Sequence, residues 1–422
     1  MKLQKIVSRL QELHPKEIDL SLDRVLNLCK KLNNPQDKIK AISVVGTNGK
    51  YSTIQAMFAI LKEAKFNCNI YTSPHIRKIN ERFVFNNKEL NDDELSELLE
   101  IVEKANNNEP ITFFEILTAA YFYKAADYPE NINLIETGLF HRFDATNILN
   151  QNLASVVTSI GLDHLDWLPK NEQTVEKIIF EKTSKLLNSN IVVAKQSSNE
   201  ITEHIKKTIK DNKSKKLFFN QDYSYSESEN NFFYYEDELG GIKLPNPNVN
   251  GQFQLENIST AIATLRNIKE LGIKDEHIRI GITNIQSIAR LQEITEGKLK
   301  DLAKENRLLV DGSHNPLGAK VLNNYLESLD CDKHVILGMM ANKDHQEFIS
   351  YLKGITTLTT IDIPNQPNSI GGKELKNKLN GVENIQYKQN IFEAIKSIPV
   401  KKNDLILITG SLYLAGEVLN LN

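Results

Sequence analysis

Short aliphatic and β-branched runs alternate with stretches of helical period along most of the chain, the pattern of parallel βαβ units. Ala41–Val45 predicts a buried strand, followed by a Gly-containing turn and a helix through about Lys65. Cys68–Tyr71 predicts a second short strand. Asp92–Ala105 and Thr112–Ala126 predict helices, the second feeding a strand at Ile132–Glu136. Strands are expected at Ala154–Ile160 and Asn190–Ala194, separated by a helix over Val175–Leu187. The Asn/Lys/Ser-rich stretch from Gln196 to about Glu238 has weaker periodicity and reads as solvated surface holding a helix and a small antiparallel sheet.

After Pro245 and Pro247 the pattern predicts helices from about Leu255 to Leu271 and from Glu276 to Ile288. A second α/β series follows, with strands near Leu308–Val310, Val335–Leu337, Thr357–Ile361 and Leu405–Thr409. One series ends and the other begins near Ser287–Arg290, so the expected domains are 1–288 and 289–422. The two series share a pattern but no motif, which argues against an internal repeat.

The length, 422 residues, suits two domains at ~150 residues each or somewhat more. A chain 40% hydrophobic and 25% charged is an ordinary globular mixture rather than a disordered or fibrous one. With 51 Lys+Arg against 54 Asp+Glu the formal charge is -3, which argues against sequence-independent nucleic-acid binding. Cys29, Cys68 and Cys331 are widely spaced, which excludes a zinc finger or disulfide scaffold and fits a reducing compartment. The first residues contain no apolar signal region, and no apolar run approaches ~18 residues. The expectation is a cytoplasmic protein without nucleic-acid or membrane partners.

The strongest local signal is Val44-Val-Gly-Thr-Asn-Gly-Lys-Tyr-Ser-Thr53, between a predicted strand and a predicted helix. Backbone N–H groups of a Gly-rich turn at a helix N-terminus make an anion nest, and a lysine there reaches the outer phosphates. Lys50 is the natural phosphate ligand, within a loop formed by Gly46, Thr47, Asn48 and Gly49, with Ser52 or Thr53 near a metal. The loop is shorter than the general GxxxxGK[ST] spacing. The plain alternative is a Gly/Asn turn at a strand end.

The Gly-Thr-Asn-Gly-Lys form resembles the Mur ligase superfamily, and the motifs that follow narrow the resemblance to folylpolyglutamate and dihydrofolate synthases. Tyr71-Thr-Ser-Pro-His75 with Asn80-Glu-Arg82, Thr112-Phe-Phe-Glu115 and Glu136-Thr-Gly-Leu-Phe-His-Arg-Phe-Asp-Ala-Thr-Asn147 are similar to that family's motifs. So are Thr158-Ser-Ile-Gly-Leu-Asp-His164, Glu181-Lys182, Gln254-Leu-Glu-Asn257, Asp311-Gly-Ser-His-Asn-Pro316 and Gly410-Ser411. They occur in family order over nearly the whole chain. The resemblance implies an α/β fold of two domains: an N-terminal P-loop ATPase-like, mostly parallel sheet flanked by helices, and a smaller Rossmann-like C-terminal domain.

The implied activity is ATP-dependent amide formation between L-glutamate and a carboxylate of dihydropteroate or a folate. A carboxylate oxygen is a poor leaving group, so ATP first converts it to an acyl phosphate, which the amine then attacks. Such a site needs phosphate-binding positive charge and magnesium with oxygen ligands. By resemblance, Ser73 and Glu136 bind one magnesium ion and His164 a second, while Lys182 is a position open to carbamylation by CO2. Lys50, Lys182 and His164 would be the catalytic groups. Gln254 and Asn257 would face adenine, and Arg290, Asp311 and His314 would contact the nucleotide from the C-terminal domain. An arginine suits phosphate because its fork is always charged. Arg82, Phe114 and Asp144 would hold the pterin, although Phe114 could equally be helix core and Asp311 an N-cap. The resemblance further suggests a monomer.

Two departures stand in informative motifs: Tyr51 follows the loop lysine where the family usually has glycine, and Phe140-His141 replace Gly-Gly before Arg142. Ala289-Arg290 replaces Gly-Arg, and Thr183-Ser184 follow Lys182 in place of Ala-Gly. Bulky residues at glycine positions could narrow the pocket. Every group with direct chemistry is nevertheless present, which favours a divergent active enzyme over a non-catalytic nucleotide-binding homologue. Thr-Ser-Pro-His and Asp-Ala-Thr-Asn argue against a different Mur-type ligase, and the absence of a basic aromatic stripe argues against a nucleic-acid-dependent NTPase.

Overall fold

The computed structural model describes residues 2–16, 19–228, 231–379 and 381–422. The chain forms two compact units, Met1–Asn248 with Leu255–Ile285, and Val249–Gln254 with Gln286–Asn422.

The first unit is built on β1 (Lys40–Val45), β2 (Cys68–Tyr71), β3 (Phe83–Phe85), β4 (Lys88–Glu89), β5 (Ile132–Glu136), β6 (Ala154–Val157), β7 (Asn190–Val193) and β8 (Lys216–Phe218). Their order in the sheet is β4-β3-β2-β5-β1-β6-β7-β8. The strands from β2 to β8 along that order run parallel, and β3 and β4 pair antiparallel. Every residue of β5 and β6 is buried, as are all but the first of β1. Strands covered on both faces by helices are expected to read as continuous apolar runs, which is why the sequence marked them. At the early end of β2 and β5, Asn69, Asn131 and Asn133 bond one another and the Tyr121 hydroxyl, a satisfied buried network that holds the two strands in register. A separate antiparallel sheet is formed by β9 (Tyr223–Ser228), β10 (Phe232–Asp237) and β11 (Gly240–Pro245).

In the second unit β12 (Gln292–Glu293), β13 (Arg307–Val310), β14 (Lys333–Leu337), β15 (Thr357–Thr360), β16 (Ile385–Tyr387) and β17 (Leu405–Thr409) lie in the order β12-β13-β17-β14-β15-β16. All pairs but β12–β13 are parallel. The expected α/β class holds: a large, mostly parallel sheet and a second mixed sheet. Among the described residues no helix is long and apolar enough to cross a membrane.

Four predicted elements are shorter than their pattern, the first being the helix expected to reach Leu271, which ends at Arg266 before a separate 3-10 turn over Lys269–Leu271. The ladder of β6 stops at Val157, because the Ser159 carbonyl accepts from the N–H groups of Thr47 (2.8 Å) and Asn48 (3.2 Å) instead of from a strand. The helix predicted over Val175–Leu187 ends at Thr183, and the Asn212 side chain takes the Leu186 and Leu187 carbonyls. The helix predicted to Ile288 ends at Gly281, where Thr283 and Asn284 side chains both bond the Ile280 carbonyl. Helices Lys2–Gln11 and Asp23–Lys31 and strands β3, β4, β12 and β16 were not predicted.

Candidate active site

Open parallel sheets place ligand-binding loops at the carboxyl ends of their strands, and the first unit follows that rule. β1 ends at Val45 and the loop 46–49 leads directly into the helix Lys50–Glu63. Gly46 (φ +155°) and Gly49 (φ +88°) both require conformations disfavoured for other residues. A methyl on Gly46 would lie 1.9 Å from Thr158 Oγ1, and one on Gly49 2.5 Å from Asn257 Oδ1. The loop is pinned from outside: Thr47 Oγ1 donates to the Gly161 carbonyl (3.0 Å) and accepts from the Gly161 N–H (3.1 Å). Gly49 enters the helix in a left-handed conformation and, as glycine, offers no side chain to cap it.

Two lysines converge on this loop. Lys50 Nζ donates to the carbonyls of Gly46 and Thr47, each at 3.2 Å, and lies 3.9 Å from Glu136 Oε1. Lys182 Nζ, from the helix Val175–Thr183, donates to the same Gly46 carbonyl at 2.9 Å. Lys182 is buried, and burial, with a smaller contribution from the Lys50 charge, lowers its pKa to about 7.

Glu136 ends β5 beside β1, with Val44 as its register partner. Its Oε2 accepts from the Ser73 N–H at 3.1 Å, which brings the loop after β2 to the same strand end. The hydroxyls of Ser73 and of Thr53, in the first turn after the phosphate loop, are buried without a hydrogen-bond partner. Ser52 beside it is also buried. A carboxylate next to orphaned hydroxyls is a hard-oxygen donor set suited to magnesium, which retains several waters and needs few protein ligands.

His164 follows β6 with φ +56° and is half-buried; Asp163 Oδ2 lies 3.8 Å from its Nε2. The unusual Phe140 packs here. It is buried, adopts φ +55°, sets its ring 5.7 Å from Lys182 Nζ, and meets the His164 ring edge-on at 6.3 Å. His141 is also buried, which together with the Lys182 charge lowers its pKa to about 4. Phe140 thus fills the space between Lys182 and His164. Arg142, next in the chain, pairs bidentately with Glu181 (2.8 Å twice), clamping this loop to the helix that carries Lys182.

The three residues expected at the pterin lie on neighbouring elements of the first unit. Phe114 is half-buried, stacked on Tyr71 (6.0 Å, 26°), with its ring tip 2.8 Å from where a Gly138 side chain would begin. Arg82 Nε donates to His75 Nδ1 at 3.0 Å; burial and the Arg82 charge lower the His75 pKa to about 4. The Asp144 carboxylate is buried and accepts from the Leu139 N–H (2.8 Å), the Thr146 N–H (3.0 Å) and the Thr146 hydroxyl (2.6 Å). Burial nevertheless raises its pKa. Asp144 therefore shapes the loop 138–146 as well as offering a carboxylate.

Gln254 and Asn257 lie on the helix Phe253–Arg266, Gln254 buried and Asn257 half-buried beside Gly49. In the second unit Asp311 follows β13 and accepts from the N–H groups of Leu291 (2.9 Å) and Ser313 (2.8 Å). His314 Nδ1 lies 2.9 Å from the Gly312 carbonyl. The Arg290 guanidinium donates to the Ala289 carbonyl at 2.9 Å, while Ala289 holds φ +53°. Asn315, rather than Asp311, caps the helix Pro316–Glu327.

Sequence reasoning did not single out Thr47 as a clamp, Thr158 as the wall behind Gly46, or His75 as the partner of Arg82. All three stand inside quoted motifs, Thr47 in Gly-Thr-Asn-Gly-Lys, Thr158 in Thr-Ser-Ile-Gly-Leu-Asp-His and His75 in Thr-Ser-Pro-His, but the motifs did not show these partners. The clamp of Thr47 on Gly161 spans 114 residues and leaves no local pattern.

Residues 290–412 match the Mur ligase family's glutamate ligase domain. The whole chain is similar to the dihydrofolate synthase/folylpolyglutamate synthase of Escherichia coli (strain K12), 27% identical over 98% of this chain and 94% of that protein. Escherichia coli FolC in complex with DHPP and ADP shares the fold with a TM-score of 0.86 at 26% identity, covering 99% of this chain and 97% of that one. The bifunctional folylpolyglutamate synthase/dihydrofolate synthase of Yersinia pestis, complexed with AMPPNP and a manganese ion, gives 0.86 at 25% identity over 99% and 97%.

Proposed function

We infer that this chain, related along its whole length to the dihydrofolate synthase/folylpolyglutamate synthases and carrying a Mur ligase glutamate ligase domain, is an ATP-dependent acid–amino-acid ligase. It joins the amine of L-glutamate to the carboxylate of dihydropteroate, to the glutamate tail of a folate, or to both, releasing ADP and phosphate. The observation that supports this most directly is the convergence of Lys50 and Lys182 on the Gly46 carbonyl, with Glu136 and the orphaned Ser73 hydroxyl at the adjoining strand end.

The chemistry follows from that placement. The N-terminus of the helix Lys50–Glu63 and the Lys50 ammonium bind the outer phosphates of ATP and stabilise charge on the moving phosphoryl group. Substrate carboxylate attacks the γ-phosphorus, ADP leaves, and an acyl phosphate forms. The glutamate amine then adds to the acyl carbon, and the tetrahedral adduct expels phosphate. Ser73 and Glu136 would hold one magnesium ion and His164 a second, the metal supplying charge neutralisation between the phosphates. Lys182, with a pKa near 7, has an amine neutral enough to react with CO2, and carbamylation there belongs to this proposal. Arg82, Phe114 and Asp144 are assigned to the pterin, Gln254 and Asn257 to adenine, and Arg290, Asp311 and His314 to the nucleotide. The proposal extends to a monomeric cytoplasmic enzyme.

The test is phosphate release from ATP, Mg2+ and glutamate, with dihydropteroate in one reaction and tetrahydrofolate in another. Release with dihydropteroate alone indicates a dihydrofolate synthase, with tetrahydrofolate alone a polyglutamylating enzyme, and with both a bifunctional one. Silence with both, in folded protein that binds ATP, refutes the assignment and points to Tyr51 and Phe140.

A further inference from the structure

The pterin assignment rests on Phe114 being held in one place, and the structure holds it through the Thr112-Phe-Phe-Glu115 helix start and an arginine that lies outside the recognised motifs. Phe114 occupies the second position of the helix Phe113–Ala125, between the two residues of a reciprocal capping box. Thr112 accepts from the Glu115 N–H through its hydroxyl (3.3 Å), and its own N–H donates to Glu115 Oε2 (2.8 Å). The Glu115 residue is only 3% exposed. A buried carboxylate is costly unless it is paired and fully hydrogen-bonded.

Its partner is 91 residues away. Arg24 Nε donates to Glu115 Oε2 and Arg24 Nη2 to Oε1, both at 3.0 Å, a bidentate fork. The other face of the guanidinium is also fixed: Nη1 donates to Asp19 Oδ2 (2.8 Å) and Nη2 to the Asp19 carbonyl (2.7 Å). Each guanidinium nitrogen is thus engaged. The segment entering the helix Asp23–Lys31 is tied through one rigid plane to the first turn of the helix that carries Phe114. The Phe114 ring then has Tyr71 on one side and the bare Gly138 backbone at its tip, and is half-buried against the core, so part of it stays exposed.

We propose that Arg24 is a positioning residue for the pterin platform: through Glu115 it locks the capping box and thereby the orientation of the Phe114 ring. The inference rests on the pterin assignment above and adds a residue to it. Arg24 touches no substrate. Without its fork the buried Glu115 carboxylate loses its charge partner and swings toward water, and the box loosens at Phe114. A lysine keeps the charge but cannot bond both carboxylate oxygens and Asp19 in one plane.

The experiment is a double-mutant cycle on KM. Arg24→Ala should raise KM for the pterin substrate about tenfold while leaving KM for ATP within about twofold. Phe114→Ala should raise the same KM at least as much, and adding Arg24→Ala to it should change KM no further. Arg24→Lys, expected to fold if Arg24→Ala does not, should raise KM about threefold and show the same lack of additivity with Phe114→Ala. A purely structural brace would lower the melting temperature and the active fraction with KM unchanged. That result, or additive effects in the cycle, overturns the proposal while the pterin assignment stands. An unchanged pterin KM in Phe114→Ala overturns the assignment itself, and the proposal with it.

Discussion

Replacing Gly46 by alanine tests the site where backbone, phosphate loop and both lysines meet. The new methyl group would start 1.9 Å from Thr158 Oγ1, 3.1 Å from Thr158 Cβ and 3.2 Å from the Thr158 carbonyl carbon. The hydroxyl must rotate away, giving up its hydrogen bond to the Val45 carbonyl (3.2 Å), worth ~1 kcal/mol. Alanine at φ +155° adds strain of order 1–3 kcal/mol. The sum is about 2–4 kcal/mol, or roughly 3–7 °C in melting temperature for a body the size of the first unit. Function should suffer more than stability, because the Gly46 carbonyl anchors both Lys50 and Lys182. A displacement on the order of 1 Å there should raise KM for ATP at least ~10-fold and lower kcat further. The assay is thermal unfolding beside steady-state kinetics, for Gly46→Ala, Thr158→Ala and the double variant. Thr158→Ala alone should cost only the hydrogen bond, and in the double variant it removes the closest clash and should recover part of the Gly46→Ala loss. Wild-type melting temperature and KM in Gly46→Ala, or no recovery in the double variant, would refute the close approach on which the reasoning depends.

Three further predictions follow from burial and charge. Lys182→Met should abolish turnover yet stabilise the protein near pH 6, because the folded-state pKa of about 7 lies below the usual 10.5; the gain should shrink as pH rises from 7 toward 10, read by melting temperature across pH. His75 and His141, both with folded pKa values of about 4 against 6.5, bind a proton more readily unfolded, so stability should fall as pH drops from 6.5 to 4, by roughly 3 kcal/mol each. His141→Gly should flatten that acid limb in chemical-denaturation curves. Glu136→Gln should lose at least ~100-fold in kcat while unfolding near the wild-type temperature; activity within a fewfold of wild type removes Glu136 from the metal set.

Tyr51 and Phe140 show how far the sequence could be read at the site. Both were visible as departures from glycine, and both could have been expected to fill space. Only the structure shows that the Phe140 side chain is folded over Lys182 and against His164, in a backbone conformation uncommon for phenylalanine. Asp144 was read as a pterin ligand, and the structure adds three hydrogen bonds from its own loop.

What the chain determined by itself was whatever is encoded within a few residues. Strands buried on both faces are apolar runs, helix entries carry caps such as Thr112 and Asn315, and a tight phosphate turn needs its glycines where φ is positive. These are short-range constraints, so β1, β2, β5, β13, β15 and β17 were found within a residue of their ends. The tertiary structure decided what depends on distant partners. It turned residues 158–160 from a strand into the wall of the loop 46–49, drew Lys182 across 136 residues to the Gly46 carbonyl, and placed Arg24 on Glu115. Short edge strands such as β4 and β12, two residues each, take their shape from the neighbour they pair with. A hydrogen bond between distant segments leaves no period in either one, so its residues become legible only when the chain has closed on itself.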